Sequence, residues 1–162
     1  MSNLASVYRK MNQSSRAVSL EEKMINKSKE ALGEDHPITL QATSGHALTL
    51  LYQSQTKKTL RLEQDILQIL EEKFPPNNPR VLNSKGNLAE TLCKLGDLAE
   101  AEKLEKEVLD SYQTKHGLNH SLILESYYNL AHTRKRQGRL EETLGLMNTC
   151  AWACPEVFSR WN

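Results

Sequence analysis

Histidine is the side chain in this sequence with the widest chemical range, because it binds metals and moves protons near neutral pH. The chain has five, at His36, His46, His116, His120 and His132. His36 and His120 stand 42 residues before and after Asn78, which predicts a capping role at helix starts. His116 and His120 flank a loop and lack the carboxylate spacing of a helical zinc site. We therefore predict no metal site, since a structural zinc ion normally has four ligands.

The cysteines and carboxylates do not form a catalytic pattern either. Cys150 and Cys154 are four residues apart and could form a redox pair or a two-ligand metal site. Cys150, however, lies at the repeat position of the apolar Ile66 and Val108, which favours packing in the core. No nucleophile has a motif around it, and no Gly-rich phosphate loop follows a strand. We predict no catalytic residues, no cofactor and no enzymatic activity.

Glutamate-rich stretches are interpreted as outer helix faces with local charge pairing. The stretches begin at Glu21, Glu71 and Glu141.

Small, apolar and amide side chains recur along the chain at a strict spacing of 42 residues. The small position is occupied by Ala5, Ala47, Ala89 and Ala131. A leucine position is occupied by Leu20, Leu62, Leu104 and Leu146. His46 stands where Leu88 and Leu130 stand in other copies, so we expect it to be buried or half-buried. A period of this size predicts a stacked array in which each copy buries its apolar face against its neighbours.

The third copy shows what one repeat contains. Asn78-Pro79 is a favourable N-cap followed by proline at the first helical position, and Gly96 supplies the positive φ that ends a helix. A second helix follows, with polar residues that include Glu102 and Glu105 on the face opposite its apolar stripe. Each repeat is therefore predicted to be a helical hairpin. The helices are expected at about 1–12, 14–32, 36–53, 56–74, 79–95, 97–115, 121–136 and 139–154.

Composition limits the partners and the compartment. The chain of 162 residues has 21 basic and 20 acidic side chains and a net charge of +1, which argues against nucleic-acid binding. Apolar stretches such as Leu50-Leu51-Tyr52 are too short to cross a bilayer, and the first residues lack the pattern of a signal peptide. Three cysteines are few enough to be reduced thiols. We therefore expect a cytoplasmic protein with no membrane partner.

The residues Asn87-Leu88-Ala89, Gly96, Ala101 and Leu104, with the joint Leu32-Gly33-Glu34-Asp35-His36-Pro37, resemble tetratricopeptide repeats of the kinesin-light-chain type. The resemblance implies an all-α fold, a right-handed α-solenoid of about four antiparallel helix pairs. It also implies a single repeat domain over 1–155, with a non-repeat tail at 156–162. The repeats would lie at about 1–33, 36–75, 78–117 and 120–155.

The resemblance further implies a protein-interaction scaffold that binds an extended peptide in a concave groove lined by the first helix of each pair. By position, Asn3, Asn87 and Asn129 would hold the peptide backbone, since a carboxamide both donates and accepts hydrogen bonds. Gly45 stands at the same position in the second repeat and removes one of these contacts.

Other residues on the same helix faces are also candidates for the groove. They are Arg9, Glu90, His132, Lys135 and Arg136. The predicted groove is basic at both ends and apolar in the second repeat, where Leu48 and Tyr52 lie, and should accept a peptide with an apolar anchor and some acidic residues. The alternative is that these residues are solvated helix faces. The residue set with which chaperone-binding tetratricopeptide domains hold a terminal carboxylate is not matched.

Two other functions remain open from the sequence. The chain could be a structural or oligomerisation segment, and apolar residues near its start, such as Leu4 and Tyr8, lead us to expect end-to-end self-association. It could also be the non-catalytic repeat tail of a larger signalling protein. The first predicted helix begins without the residues that should precede it, so the chain could be a fragment of a longer array. It could also be a short gene product whose last helix is covered by Trp152, Phe158 and Trp161.

Overall fold

The computed structural model describes residues 14–115 and 120–153, and every regular element in these ranges is an α-helix. The helices are α1 (Ser14–Leu32), α2 (Pro37–Tyr52), α3 (Thr56–Lys73), α4 (Pro79–Leu95), α5 (Leu98–Lys115), α6 (Ser121–Arg136) and α7 (Leu140–Ala153). Their ends confirm the predicted boundaries to within one residue. The helix predicted at 1–12 lies outside the described residues.

The chain forms two compact units, Met1–Pro75 and Pro76–Asn162. In the N-terminal unit, α2 packs against α1 and α3. In the C-terminal unit, extensive packing joins α4 to α5, α5 to α6 and α6 to α7, in the order of the chain. A closed four-helix bundle would also pack α7 against α4, so consecutive packing is that of helical repeats. The fold class is a helical solenoid of repeats, and the single domain at 1–155 stays a prediction.

The first helices of the second, third and fourth repeats each begin at a side-chain cap. The backbone N–H of Arg80 donates to Oδ1 of Asn78 over 2.9 Å. His36 and His120 use Nδ1 in the same way, accepting from the backbone N–H groups of Ile38 and Leu122 over 3.2 and 3.3 Å. The predicted capping role of the two histidines is therefore confirmed.

The turn between the two helices of a repeat needs a left-handed residue. Gly96 and Gly138 have φ values of 92° and 80°, and Ser54 at the equivalent position has a φ of 60°. An L-residue in this region is strained by about 1–2 kcal/mol, because its Cβ crowds the following carbonyl oxygen. Ser54 therefore forms the same turn as the two glycines, but with a backbone strain that the glycines avoid.

Replacing Ser54 by glycine should raise the free energy of unfolding by about 0.5–1 kcal/mol, the relieved strain less the entropy that glycine loses on folding. Urea unfolding followed by circular dichroism would measure this. The matched control is Gly96→Ser, which should destabilise by a similar amount, since a Cβ at Gly96 meets no atom within 4 Å and only the backbone is strained. A loss of stability in Ser54→Gly would contradict the strain argument.

Small side chains lie where the two helices of a repeat cross. Ala47 and Ala131 are fully buried, as the repeat pattern predicts. Thr59 Oγ1 donates to the carbonyl oxygen of Ala47 over 3.3 Å, and Thr143 Oγ1 donates to that of Ala131 over 3.5 Å. The hydroxyl groups are thus satisfied by backbone at a crossing that has no room for longer side chains.

The apolar core of the C-terminal unit lies between α4, α5 and α6. Its buried members are Leu82, Val108, Leu109, Tyr112, Ile123 and Leu130. Because α5 lies between the other two helices, this core fixes their spacing on either side of it.

The polar faces of the second helices are not wholly exposed, which corrects the sequence interpretation. Glu102 and Glu105 are only 7 % and 6 % exposed, and Glu21 in α1 is 5 % exposed. The reason is that a second helix in an array has two neighbours: α5 packs against both α4 and α6, and its second contact face carries the glutamates. Glu71 and Glu141 are exposed as expected.

Candidate functional site

A cavity of about 690 Å³ lies in the C-terminal unit. Its walls are α4 and α6, the first helices of neighbouring repeats, and its base is formed by Glu105, Val108 and Tyr112 of α5. This arrangement follows from the packing order, because α5 lies between α4 and α6 and leaves a furrow between them.

The structure brings five of the predicted groove residues to this cavity, and all five are exposed. They are Asn87, Glu90, Asn129, His132 and Arg136. Lys135 is exposed but does not line the cavity. Asn3 and Arg9 lie outside the described residues. The role of these side chains in binding stays a prediction.

Amide and hydroxyl groups dominate one part of the cavity wall. Asn87 and Asn129 stand at the same repeat position on α4 and α6, and Asn83 lies one turn before Asn87. The hydroxyl of Tyr112 donates to Oδ1 of Asn83 over 3.3 Å. The wall therefore offers carboxamides that both donate and accept hydrogen bonds, which suits a ligand with backbone amide groups.

The opposite end of the cavity lies at the C-terminal ends of α4 and α6 and carries basic side chains. Arg136 Nη1 donates to the backbone carbonyl of Cys93 and lies 3.2 Å from its Sγ. Lys94 pairs with Glu90 over 2.9 Å. His132 Nδ1 lies 3.9 Å from the Cys93 sulfur. The carboxylates of Glu90, Glu105 and Glu125 also line the cavity, so its charge is mixed.

Glu105 is a buried carboxyl group at the base of the cavity. Its Oε1 accepts a hydrogen bond from Thr133 Oγ1 over 2.9 Å. Its Oε2 has no hydrogen-bond partner within the described part of the chain. Burial raises the pKa of Glu105 to about 7, against the smaller effect of the Thr133 hydrogen bond. The side chain is therefore close to half-protonated at neutral pH.

A second buried glutamate fixes the helices around the cavity. Glu102 accepts from Lys106 over 2.8 Å, from Arg134 over 3.1 Å and from Arg139 over 2.7 Å. Gln137 Nε2 donates to it over 3.0 Å. Burial alone would raise the pKa of Glu102, but these four hydrogen bonds together lower it to about 2. The cluster ties α5 to the end of α6 and to the turn before α7.

Sequence reasoning missed Glu105, although the repeat carried a signal. Glutamate recurs at Glu21, Glu63 and Glu105, and threonine recurs at Thr49, Thr91 and Thr133. All six are buried. In the N-terminal unit, Thr49 Oγ1 donates to Glu21 Oε1 over 2.8 Å, just as Thr133 donates to Glu105. Polar residues that recur at one repeat position therefore mark a buried position, which holds a threonine–glutamate hydrogen bond in two of the three copies.

Across residues 14–115 and 120–153 there is no cluster of three or more histidine, cysteine, aspartate or glutamate side chains that could hold a metal ion. None of the helices in those ranges is long and apolar enough to cross a bilayer.

Comparison with protein families gives two matches. A tetratricopeptide repeat model matches residues 80–150, and a second tetratricopeptide repeat model matches residues 1–38. The first of these ranges contains the cavity. No curated protein matches the chain.

Solved structures share the fold over nearly the whole chain. Nearly identical TPR-like repeats of a Podosopora anserina protein assigned as a kinesin light chain superpose with a TM-score of 0.84 at 23% identity, covering 93% of this chain and 71% of that one. BtubC (BKLC) from P. vanneervenii gives a TM-score of 0.81 at 19% identity, covering 93% of this chain and 59% of that one.

A Rap protein complexed with Competence and Sporulation Factor gives a TM-score of 0.74 at 16% identity, with coverage of 92% and 40%. This chain thus spans less than two thirds of the BtubC and Rap chains. At these identities, the likeness concerns the fold.

Proposed function

Because this chain is a tetratricopeptide repeat protein with repeats of the kinesin-light-chain type, we propose that it is a non-catalytic interaction scaffold whose cavity between α4 and α6 binds an extended segment of a partner protein. One observation carries the proposal. Asn87 and Asn129, at the same position of neighbouring repeats, line one cavity and are both exposed. Repeat arrays use such surfaces between successive first helices for binding.

The cavity favours backbone recognition over recognition of one side chain. Two carboxamides one repeat apart can each form one hydrogen bond with the peptide backbone, to an N–H or a C=O group, so an extended chain lying across both helices would be held at two points. Leu82, Leu122 and Val108 also line the cavity and provide apolar surface for an anchor side chain. The basic end with Lys94 and Arg136 suits an acidic residue in the same segment.

The double variant Asn87→Ala/Asn129→Ala should weaken binding about thirtyfold. Each lost hydrogen bond removes about 1 kcal/mol, and 1.4 kcal/mol is a factor of ten. The measurement is the affinity, by fluorescence anisotropy, of linear peptides selected against the wild-type protein from a random phage-displayed library.

Asn148→Ala is the matched control, because Asn148 is an exposed carboxamide on α7 that does not line the cavity. Its affinity should equal that of the wild type, and all variants should keep the wild-type circular dichroism. Unchanged binding by the double variant would count against the amide pair.

A structural or oligomerisation role is the second candidate, and one observation favours it. Leu140 and Leu144 lie one turn apart on α7 and are 60 % and 63 % exposed. An apolar pair on one helix face is a feature of association surfaces. Concentration-dependent assembly in sedimentation experiments, with no peptide selected from the library, would support this role in place of peptide binding.

A further inference from the structure

Glu21 and Glu105 lie at the same repeat position in the two units but have different hydrogen-bond partners. In the N-terminal unit, Glu21 has a partner for each oxygen: Thr49 Oγ1 lies 2.8 Å from Oε1, and His46 Nδ1 lies 3.3 Å from Oε2. In the C-terminal unit, Thr133 fills the first role for Glu105 over 2.9 Å. The position equivalent to His46 is Leu130, which has no hydrogen-bond donor. Within the described residues, the Oε2 of Glu105 has no hydrogen-bond partner.

The side chain of Glu105 lies at the base of a cavity that a ligand can enter. Glu105 is more than nine-tenths buried by its neighbours, yet it lines the cavity between α4 and α6. The carboxyl group of Glu21 in the N-terminal unit has a histidine partner instead. A buried carboxyl oxygen without a partner is rare in folded proteins, and a bound group that donates to it is one of the ordinary explanations.

The charges around Glu105 favour a cation as that group. On α4, Glu90 and Lys94 pair with each other. On α6, Arg134 is bonded to Glu102, and Arg136 donates to Cys93. Within the described residues, neither Glu105 nor the nearby Glu125 forms an ion pair, and His132 contacts the Cys93 sulfur. Arg134 acts on Glu105 only through its charge, and within the described residues no cationic side chain is hydrogen-bonded to that carboxyl group.

We propose that the base of this cavity binds a positively charged nitrogen, that of a lysine or arginine side chain, whose N–H donates to Oε2 of Glu105. The inference rests on the proposed function, because it assigns one side chain of the bound segment to a specific place. The ligand supplies in the C-terminal unit the donor that His46 supplies in the N-terminal unit. Charge-assisted hydrogen bonds of this kind are about twice as strong as neutral ones.

Binding of a cation should release the proton that Glu105 carries. The pKa of this carboxyl group is raised to about 7 by burial, so the empty site is about one-tenth ionised at pH 6 and about nine-tenths ionised at pH 8. An ammonium group binds the ionised form. Its apparent affinity should therefore be about tenfold higher at pH 8 than at pH 6. A ligand that only accepts hydrogen bonds would show the opposite dependence.

A simple amine tests the site without knowledge of the natural partner. The whole protein would be titrated with n-butylammonium and with 1-butanol, its neutral counterpart, while the amide resonances of Glu105 and Thr133 are followed by NMR. We expect saturable shifts with n-butylammonium, about tenfold tighter at pH 8 than at pH 6, and no saturation with butanol. Equal responses to the two probes, or tighter binding at pH 6, would overturn the proposal.

Two variants isolate the carboxyl group from other titrating side chains. Glu105→Gln should abolish saturable binding and its pH dependence, whereas binding that survives in this variant would refute the role of Oε2. Leu130→His places the donor of the N-terminal unit beside Glu105 and should also block the amine. If a correctly folded Leu130→His protein bound the amine as tightly as the wild type does, the comparison between the units would be contradicted.

The two proposals fail in different ways. If n-butylammonium binds but the library yields no peptide, the cation site stands and the peptide-binding function fails. If library peptides bind through Asn87 and Asn129 without selecting lysine or arginine, the peptide function stands and the cation site fails.

Discussion

Replacing Glu102 by glutamine should lower the free energy of unfolding by about 3 kcal/mol at neutral pH. The wild-type carboxylate is bonded to Lys106, Arg134 and Arg139, and its exposed fraction is only 7 %. Removing one partner of a buried ion cluster leaves the other charges uncompensated, which typically costs about 3–5 kcal/mol. Arg139 and Lys106 are partly exposed and can rehydrate, so the lower end of that range applies here. Urea unfolding followed by circular dichroism measures the loss.

The pH dependence of the free energy of unfolding tests separately whether ionised Glu102 stabilises the protein. The pKa of Glu102 falls from its ordinary value of 4.5 to about 2 on folding, so its contribution to stability is fully present above about pH 4.5. It should be lost as pH falls towards 2. The wild type should therefore approach the stability of the glutamine variant in acid. A difference between the two proteins that stays constant from pH 7 to pH 2 would show that the ion cluster is not its cause.

Glu100→Gln is the matched control for this prediction. Glu100 lies on the same helix and pairs with Lys103 over 2.9 Å, but both side chains are well exposed. Exposed ion pairs contribute about 0–1 kcal/mol. A loss in the control as large as that in Glu102→Gln would mean that the position of the charge on α5, and not its burial, sets the effect.

Replacing Glu105 by glutamine should have the opposite effect and stabilise the protein in mild alkali. Burial raises the pKa of Glu105 from 4.5 to about 7, so ionisation at higher pH destabilises the folded state. The favourable protonated form is fully present below about pH 4.5, and its advantage is lost as pH rises through 7. Glutamine resembles the protonated carboxyl group and does not ionise.

The expected difference between Glu105→Gln and the wild type is near zero at pH 4.5 and roughly 3 kcal/mol in favour of the variant at pH 8, at 1.36 kcal/mol per pKa unit. Unfolding midpoints in urea at the two pH values test it, and the acid measurement serves as the internal control. If the variant were less stable than the wild type at pH 8, the Glu105 carboxylate would have a further hydrogen-bond donor in the folded protein.

Helix ends and crossings could be predicted from the sequence because local chemistry determines them. Asn78, His36 and His120 are caps at one repeat position, and a cap needs only its own backbone and the next turn. Ala47 and Ala131 are fully buried because a crossing point admits only small side chains. These positions recur every 42 residues because each repeat needs a cap at a helix start and a small side chain at a helix crossing.

The burial of Glu102 and Glu105 could not be predicted from a single helix. An amphipathic pattern shows one apolar stripe and leaves the remaining residues to solvent, whereas α5 has a second neighbour in the next repeat. The contact with that neighbour is partly ionic, so hydrophobicity alone does not reveal it. The recurrence of glutamate at Glu21, Glu63 and Glu105 was the available signal.

The candidate site could be predicted in part, for a geometric reason. Asn87 and Asn129 reach the cavity because equal repeat positions point to the same side of successive first helices. Lys135 does not line it, although its neighbour Arg136 does, because adjacent helical residues are turned by about 100°. Cys93, at the repeat position of Lys135, does line the cavity, because it contacts Thr133 and Arg136 of the following first helix.

Because α5 packs against both α4 and α6, only a few of its residues can carry a chemical label without disturbing the fold. Fluorophores, spin labels or cross-linkers attached at Glu102 or Glu105 would force the neighbouring helices apart, despite the charged character of both positions. Lys103 and Asp110, seven residues apart along the helix and both exposed, offer attachment points that leave the α4 and α6 contacts in place. A distance probe at either site would report on a bound partner without disturbing the furrow.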